Sequence, residues 1–108
     1  TSTAADPKSI AVLAFSNLST DVENGFFAEG VSEELLNVLA GVEGLRVASR
    51  TSAFSFRGKN VPIPDIARQL GVAHILEGSV RRQGQRVRIT AQLIDARRDV
   101  HLWSETYD

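Results

Sequence analysis

Residues 73–95, AHILEGSVRRQGQRVRITAQLID, constrain the fold more tightly than any other stretch of the chain. In its second half Val87, Ile89, Ala91 and Leu93 alternate with Arg86, Arg88, Thr90 and Gln92, the period-two pattern of a strand with one buried face and one solvated face. The first half sets Ile75 and Leu76 beside His74 and Glu77, and Ser79 and Val80 before Arg81 and Arg82, so its buried face is not fixed by period alone. Gly84, flanked by Gln83 and Gln85, supplies the left-handed position of a three-residue hairpin loop. The expected structure is an antiparallel hairpin with arginines crowding its turn and one face.

The remaining elements follow from local pattern. Residues 1–7, TSTAADP, read as a disordered lead-in or linker, and residues 8–108 as one domain. Ser9 to Phe15 is apolar without alternation, as in a strand buried on both faces at the centre of a sheet. After a turn-rich loop from Ser16 to Asp21, Asn24 is the expected cap of a helix in which Phe27, Val31, Leu35, Val38 and Val42 recur at helical spacing, ended by Gly41 or Gly44. Leu45 to Arg50 reads as a strand with Leu45 and Val47 on one face. Thr51 then offers a cap for about one helical turn reaching Phe56. Pro64 suits the start of a further helix whose stripe is Ile63, Ile66, Ala67 and Leu70, with Gly71 as its stop. After the hairpin, a turn at Ala96 to Asp99 leads to a last strand, His101 to Tyr107. The order β-α-β-α-β-β-β predicts a layered α/β domain with a mixed five-stranded sheet and two main helices.

Composition excludes several functional classes. The chain has 108 residues, 43% of them hydrophobic, which suits one soluble core. It has no stretch approaching the roughly 20 apolar residues of a membrane-spanning helix and no basic-then-apolar leader. Without cysteine there is no disulfide, thiol nucleophile or cysteine-type zinc site. Without methionine, even at position 1, the chain reads as a piece of a longer polypeptide. The formal charge of -1 conceals a strong asymmetry. No lysine or arginine occurs between Ser9 and Leu45, where Asp21, Glu23, Glu29, Glu33, Glu34 and Glu43 all fall, while Arg81, Arg82, Arg86, Arg88, Arg97 and Arg98 face only Asp95 in the later segment. Such a molecule favours oriented or head-to-tail docking over indiscriminate polyanion binding.

The strings SIAVLAFSNLSTDVENGFFAEGVSEELLNVLAGVEGLRVASRTSAFSF, IARQLGVAHILEGSVRRQGQRVRITAQLIDA and HLWSETYD closely resemble the TolB amino-terminal-like domain, from Lys8 to Asp108. One departure is Ala14, where the family usually carries proline. The resemblance implies a non-enzymatic α/β module, similar in fold to the amino-terminal part of TolB and to lipoprotein components of secretion and flagellar systems. It implies a setting in bacterial proteins that also carry class III adenylate or guanylate cyclase domains, or winged-helix DNA-binding domains, with tetratricopeptide repeats following. It further implies a periplasmic rather than cytoplasmic location, since relatives with a membrane span place it before this domain. The family offers no catalytic residue to carry over.

The chemistry legible in single residues agrees with a non-catalytic reading. His74 and His101 have no neighbouring ligand at metal-binding spacing, and Gly58-Lys59 lacks the flanking residues of a phosphate loop; no cofactor or metal is expected. Ser16, Asn17, Ser19 and Thr20 lie in a loop of the kind that binds small anions where parallel strands lead into helices, and turn formation or capping explains the same residues. The six arginines read either as a solvated strand face that deters edge pairing or as a docking surface for an acidic partner. The acidic counter-surface is Glu29, Glu33 and Glu34 on the first helix, in another copy or a neighbouring domain. Nucleic acid is disfavoured by the net charge and the absence of interleaved aromatics, and no membrane contact is expected of this domain. Trp103 and Tyr107 share a face of the last strand, either under helices or at an open seam to the next part of the parent protein. The chain therefore reads as a regulatory or protein-interaction domain. The alternatives are a small-anion or nucleotide-binding module, a nucleotide hydrolase using the loop after strand one, and a structural spacer.

Overall fold

The computed structural model describes residues 6–19 and 23–108. Its elements are β1 (Ser9–Val12), β2 (Ser16–Asn17), α1 (Glu23–Ala40), β3 (Arg46–Val47), α2 (Arg50–Phe54), α3 (Ile63–Leu70), β4 (His74–Gln83), β5 (Arg86–Asp95) and β6 (Val100–Tyr107). They form one mixed sheet in the order β3-β1-β4-β5-β6, with β2 paired separately to β4. The parallel pairings of β1 with β3 and β4 and the antiparallel meander β4-β5-β6 match the α/β architecture expected from the sequence.

β1 is an interior strand, between the edge strand β3 and the middle strand β4, and is buried along its whole length. Ala11 and Leu13 pack with Ala53 of α2 and with Ile66 and Ala67 of α3. Ile10, Val12 and Phe15 pack on the opposite face with Ala28, Val31, Leu35, Leu36 and Leu39 of α1. Helices thus cover both faces of the parallel end of the sheet, which is why the β1 sequence shows no polar alternation. Two buried serines hold this arrangement. The Ser32 hydroxyl accepts from the Phe15 backbone N–H at 2.8 Å and donates to the Ala28 carbonyl, tying α1 to the end of β1. The Ser9 hydroxyl accepts from the Ala73 backbone N–H at 2.9 Å and donates to the Asp6 carbonyl.

α1 corrects the expected stripe. Its inward face is Ala28, Val31, Ser32, Leu35 and Leu39, whereas Phe27, Val38 and Val42 are exposed. The helix is apolar on much of its circumference, so apolar spacing does not fix its rotation; the small residues Ala28 and Ser32 sit innermost because they let the helix approach the sheet. Asn24 falls inside the first turn rather than before it. β3 is shorter than expected because the chain turns into α2 at Arg50, and the α2 cap is Ser49, which accepts from the Ser52 N–H, rather than Thr51. α3 follows its expectation, with Pro64 in the first turn and Gly71 left-handed at its end.

The hairpin loop has two residues rather than three. Gln83 pairs with Arg86, leaving Gly84 and Gln85 between them; Gly84 has φ +60° and Gln85 a negative φ, which is the pattern of a type II′ turn whose twist matches the strands. Leu76, Val80 and Ala91 lie on the α1 face with Val87, Ile89 and Leu93 packed beside them, so the alternation read from β5 holds. β2, unforeseen in the loop after β1, adds two residues parallel to Ser79 and Val80.

Gly78 carries the sharpest steric requirement in the sheet. A Cβ there would overlap the Thr90 carbonyl oxygen and lie 2.6 Å from the Phe15 ring. Gly78→Ala should destabilise the fold by about 2–3 kcal/mol, and Ser32→Ala, which leaves the buried Phe15 N–H without its acceptor, by about 1–3 kcal/mol. Urea denaturation midpoints of the two variants check both values.

Candidate functional site

Two regions collect the polar residues singled out by the sequence. The first is the distal half of the β4-β5 hairpin. Arg81 pairs directly with Arg88, and Gln83 with Arg86, so three arginines share the face opposite Leu76, Val80 and Ala91, and all three are exposed. Like charges directly across a ladder repel. One of the three is neutralised: Arg88 Nε donates to Asp108 Oδ1 at 2.8 Å. That hydrogen bond, together with the Asp108 charge, holds the Arg88 guanidinium above its ordinary pKa. A shallow cavity of about 460 Å³ lies among Arg81, Gln83, Gln85, Arg86, Val87, Arg88 and Asp108.

The other arginines do not join this group. Arg82 is on the α1 face of β4, with its backbone N–H bound to the Ser19 hydroxyl at 2.7 Å and its Nε to the Gly84 carbonyl. Arg97 and Arg98 occupy the β5-β6 turn, at the far end of a ten-residue strand from the hairpin tip, about 30 Å away at roughly 3.3 Å per residue. There the Asp95 carboxylate accepts from the backbone N–H groups of Arg97 and Arg98, and Asp99 closes the turn with φ 55°. The acidic residues are partly engaged within the molecule: Glu33 pairs with Arg50 at 2.7 Å and Glu29 with Arg57 at 3.3 Å. Glu34 is exposed and has no ion pair among the described residues.

The second region is the loop after β1. Ser16 and Asn17 line a cavity of about 570 Å³. Ser19 and Asn17 serve the turn itself, since the Asn17 side-chain oxygen accepts from the Ser19 N–H at 2.9 Å; Thr20 and Asp21 lie outside the described residues. The cavity opens where the chain diverges: from the carboxyl end of β1 it runs to α1 on one face, and from that of β3 to α2 on the other. Such a crevice between adjacent parallel strands is the usual ligand position in open α/β sheets. Its floor is Leu13, Phe15, Ala53 and Ile66; Phe26, Glu29, Arg57, Lys59 and Glu77 contribute to its rim. Ser16 and Asn17 are visible as candidates in the sequence, but Phe26, Phe56, Lys59 and Glu77 are not, because they converge from three separate segments and carry no shared local motif.

Trp103 and Tyr107 stand opposite Leu93 and Ile89, on the α1 side of the sheet but outside its cover, with 41% and 52% of their surface exposed. The expectation that helices cover this face is not met: among the described residues it is open. Among the described residues no cluster of three or more histidine, aspartate or glutamate side chains is placed to hold a metal ion, and no helix is long and apolar enough to cross a membrane.

Comparison with known proteins places this geometry in context. No family model matches the chain. Over 100 residues, 93% of the chain, it is 50% identical to a protein of Rhizobium meliloti (strain 1021) named "Putative adenylate cyclase 3", and the match spans 17% of that protein. The C-terminal domain of LpoB from Salmonella enterica superposes with a TM-score of 0.73 at 19% identity, covering 97% of this chain and 83% of that one. Lipoprotein GNA1162 from Neisseria meningitidis gives 0.68 at 22% identity, covering 94% and 78%. TolB from Acinetobacter baumannii gives 0.61 at 17% identity over 97% of this chain and 24% of TolB. The fold is shared with these bacterial proteins.

The Ser19 hydroxyl is a structural tie between the loop and the hairpin. Ser19→Ala should accelerate amide exchange at Arg82 roughly five- to tenfold, the effect of losing about 1 kcal/mol of hydrogen bonding, while the amides of β1 remain unchanged; residue-resolved hydrogen exchange by NMR reads both.

Proposed function

We propose that the chain is a non-catalytic docking domain of a larger bacterial signalling protein, and that its hairpin arginines engage an acidic protein surface, that of α1 in a second copy. The observation that carries this reading is the segregation of charge. Arg81 and Arg86 stand exposed on one face of the hairpin with no carboxylate within ion-pairing distance among the described residues, while α1 contributes acid and no base between Glu23 and Ala40. The Glu29 and Glu33 pairs are largely solvent-exposed on their arginine side; pairs of this kind contribute little to stability and exchange for intermolecular partners at small cost.

The setting of the domain is read from its relatives. A segment 50% identical to this chain occupies about a sixth of a protein with a cyclase name, which supports a role as one module among several, associated with a nucleotide cyclase. The shared fold with a lipoprotein and with TolB supports the TolB amino-terminal-like assignment and a periplasmic position. Association with tetratricopeptide repeats or a winged-helix output rests on the sequence resemblance.

Sedimentation velocity of the purified chain tests the docking reading. Self-association should rise with concentration and weaken between 50 and 500 mM salt, on the order of the screening expected for exposed charges. Arg86→Glu combined with Arg88→Glu should abolish it while leaving the circular dichroism spectrum unchanged. A monomer at every concentration, or a double variant that associates like the wild type, contradicts the proposal.

A further inference from the structure

We infer that the crevice at the carboxyl end of β1 binds a small zwitterion with an apolar side chain, the chemistry of a free apolar α-amino acid. The inference stands apart from docking through the hairpin. Three features of the crevice lead to it: its size and floor, its rim charges, and its position.

A volume of about 570 Å³ lies within the range of roughly 300–1,000 Å³ typical of small-molecule sites. The floor is apolar and partly aromatic: Leu13, Phe15, Ala53 and Ile66 are all buried, and the ring of Phe56 joins them. Phe26 stands at the rim with 76% of its surface exposed, the most exposed large apolar side chain among the described residues. An occupant that covers this ring removes it from water, which a bare crevice does not.

The rim carries two groups of opposite charge that have no ion-pair partner among the described residues. Arg57 is paired with Glu29, but Lys59 and Glu77 have no ion-pair partner among the described residues, although both line the crevice. A purely apolar occupant would cover an ammonium and a carboxylate without replacing their hydration, at considerable cost. A simple anion would satisfy Lys59 and leave Glu77 facing a like charge; a simple cation would do the reverse. A ligand bearing both a carboxylate and an ammonium gives each group its partner through a charge-assisted hydrogen bond, with its side chain directed to the aromatic floor. A nucleotide fits poorly, because Glu77 repels its phosphates and, among the described residues, no glycine-rich turn presents backbone N–H groups to them.

Isothermal titration of the 108-residue chain with L-phenylalanine and L-leucine tests this, with phenethylamine, 3-phenylpropanoate and adenosine monophosphate as comparison ligands. Saturable binding of at least one amino acid is expected. The deaminated and decarboxylated analogues should bind at least about tenfold more weakly, as for loss of one charged hydrogen bond. Lys59→Ala should weaken amino-acid binding by a similar factor and leave phenethylamine unaffected. Glu77→Gln should weaken the amino acid and leave 3-phenylpropanoate unaffected, and the hairpin variant Arg86→Glu with Arg88→Glu should bind the amino acid like the wild type. Thermal unfolding confirms that each variant is folded. Absence of saturable binding by either amino acid overturns the inference, as does 3-phenylpropanoate or the nucleotide binding as tightly as phenylalanine.

Discussion

The two-sided burial of β1 is the constraint on which the rest of the structure depends. Ile10, Val12, Leu13 and Phe15 are all 8% exposed or less, and burying side chains of this size contributes about 1.5–3 kcal/mol each. No single layer of helices can bury residues that point alternately up and down, so α1 must lie on one face and α2 with α3 on the other. Parallel pairing with both β3 and β4 imposes the same geometry, because each parallel neighbour needs a crossover connection. The divergence of those crossovers opens the crevice as a direct consequence of burying one short strand.

Beyond that strand the sheet changes character. β4 and β5 each have ten residues against the four of β1, so the hairpin projects past the helices, and the molecule measures 51 Å along its longest axis against 30 and 24 Å across. The Phe15 ring on Gly78 and the fully buried Val80 are the last core contacts along β4; from Arg81 to Arg86 every residue is exposed. The arginine face and the crevice lie at the same end of the sheet and on the same side of β4. Glu77 lines the one and Arg81 belongs to the other, about 13 Å apart along the strand at ~3.3 Å per residue. Two surfaces of different chemistry therefore share one strand.

Much of this was legible in the sequence, for reasons specific to particular residues. The unbroken apolar run of β1 and the alternation from Arg86 to Leu93 each admit one physical reading, and Pro64 and Gly71 mark the ends of α3 through fixed backbone preferences. The face of α1 was not legible, because Phe27, Val38 and Val42 imitate a buried stripe, and contact with the sheet, through Ala28 and Ser32, decides the rotation. The two-residue β2 has too little pattern to be seen at all, and the hairpin loop length depends on a register that only pairing defines. Of the loop after β1, the sequence identified the polar residues but not the crevice, since Phe26, Lys59 and Glu77 meet there only after three connections have been folded. The arginines were visible as a group in sequence; that Arg97 and Arg98 lie at the opposite end from Arg86 follows from strand length and not from spacing.

The central claim is that a rigid parallel core, organised by β1, carries an antiparallel arm whose outer strand is free. Native-state hydrogen exchange measures this most directly. The account predicts that the amides of Ala11, Leu13 and Leu76 exchange only through global unfolding, while those at the hairpin tip and on the outer edge of β6 exchange by local opening, orders of magnitude faster. Protection along the outer edge of β6 equal to that of β1, or exchange in β1 as fast as in the arm, would contradict it.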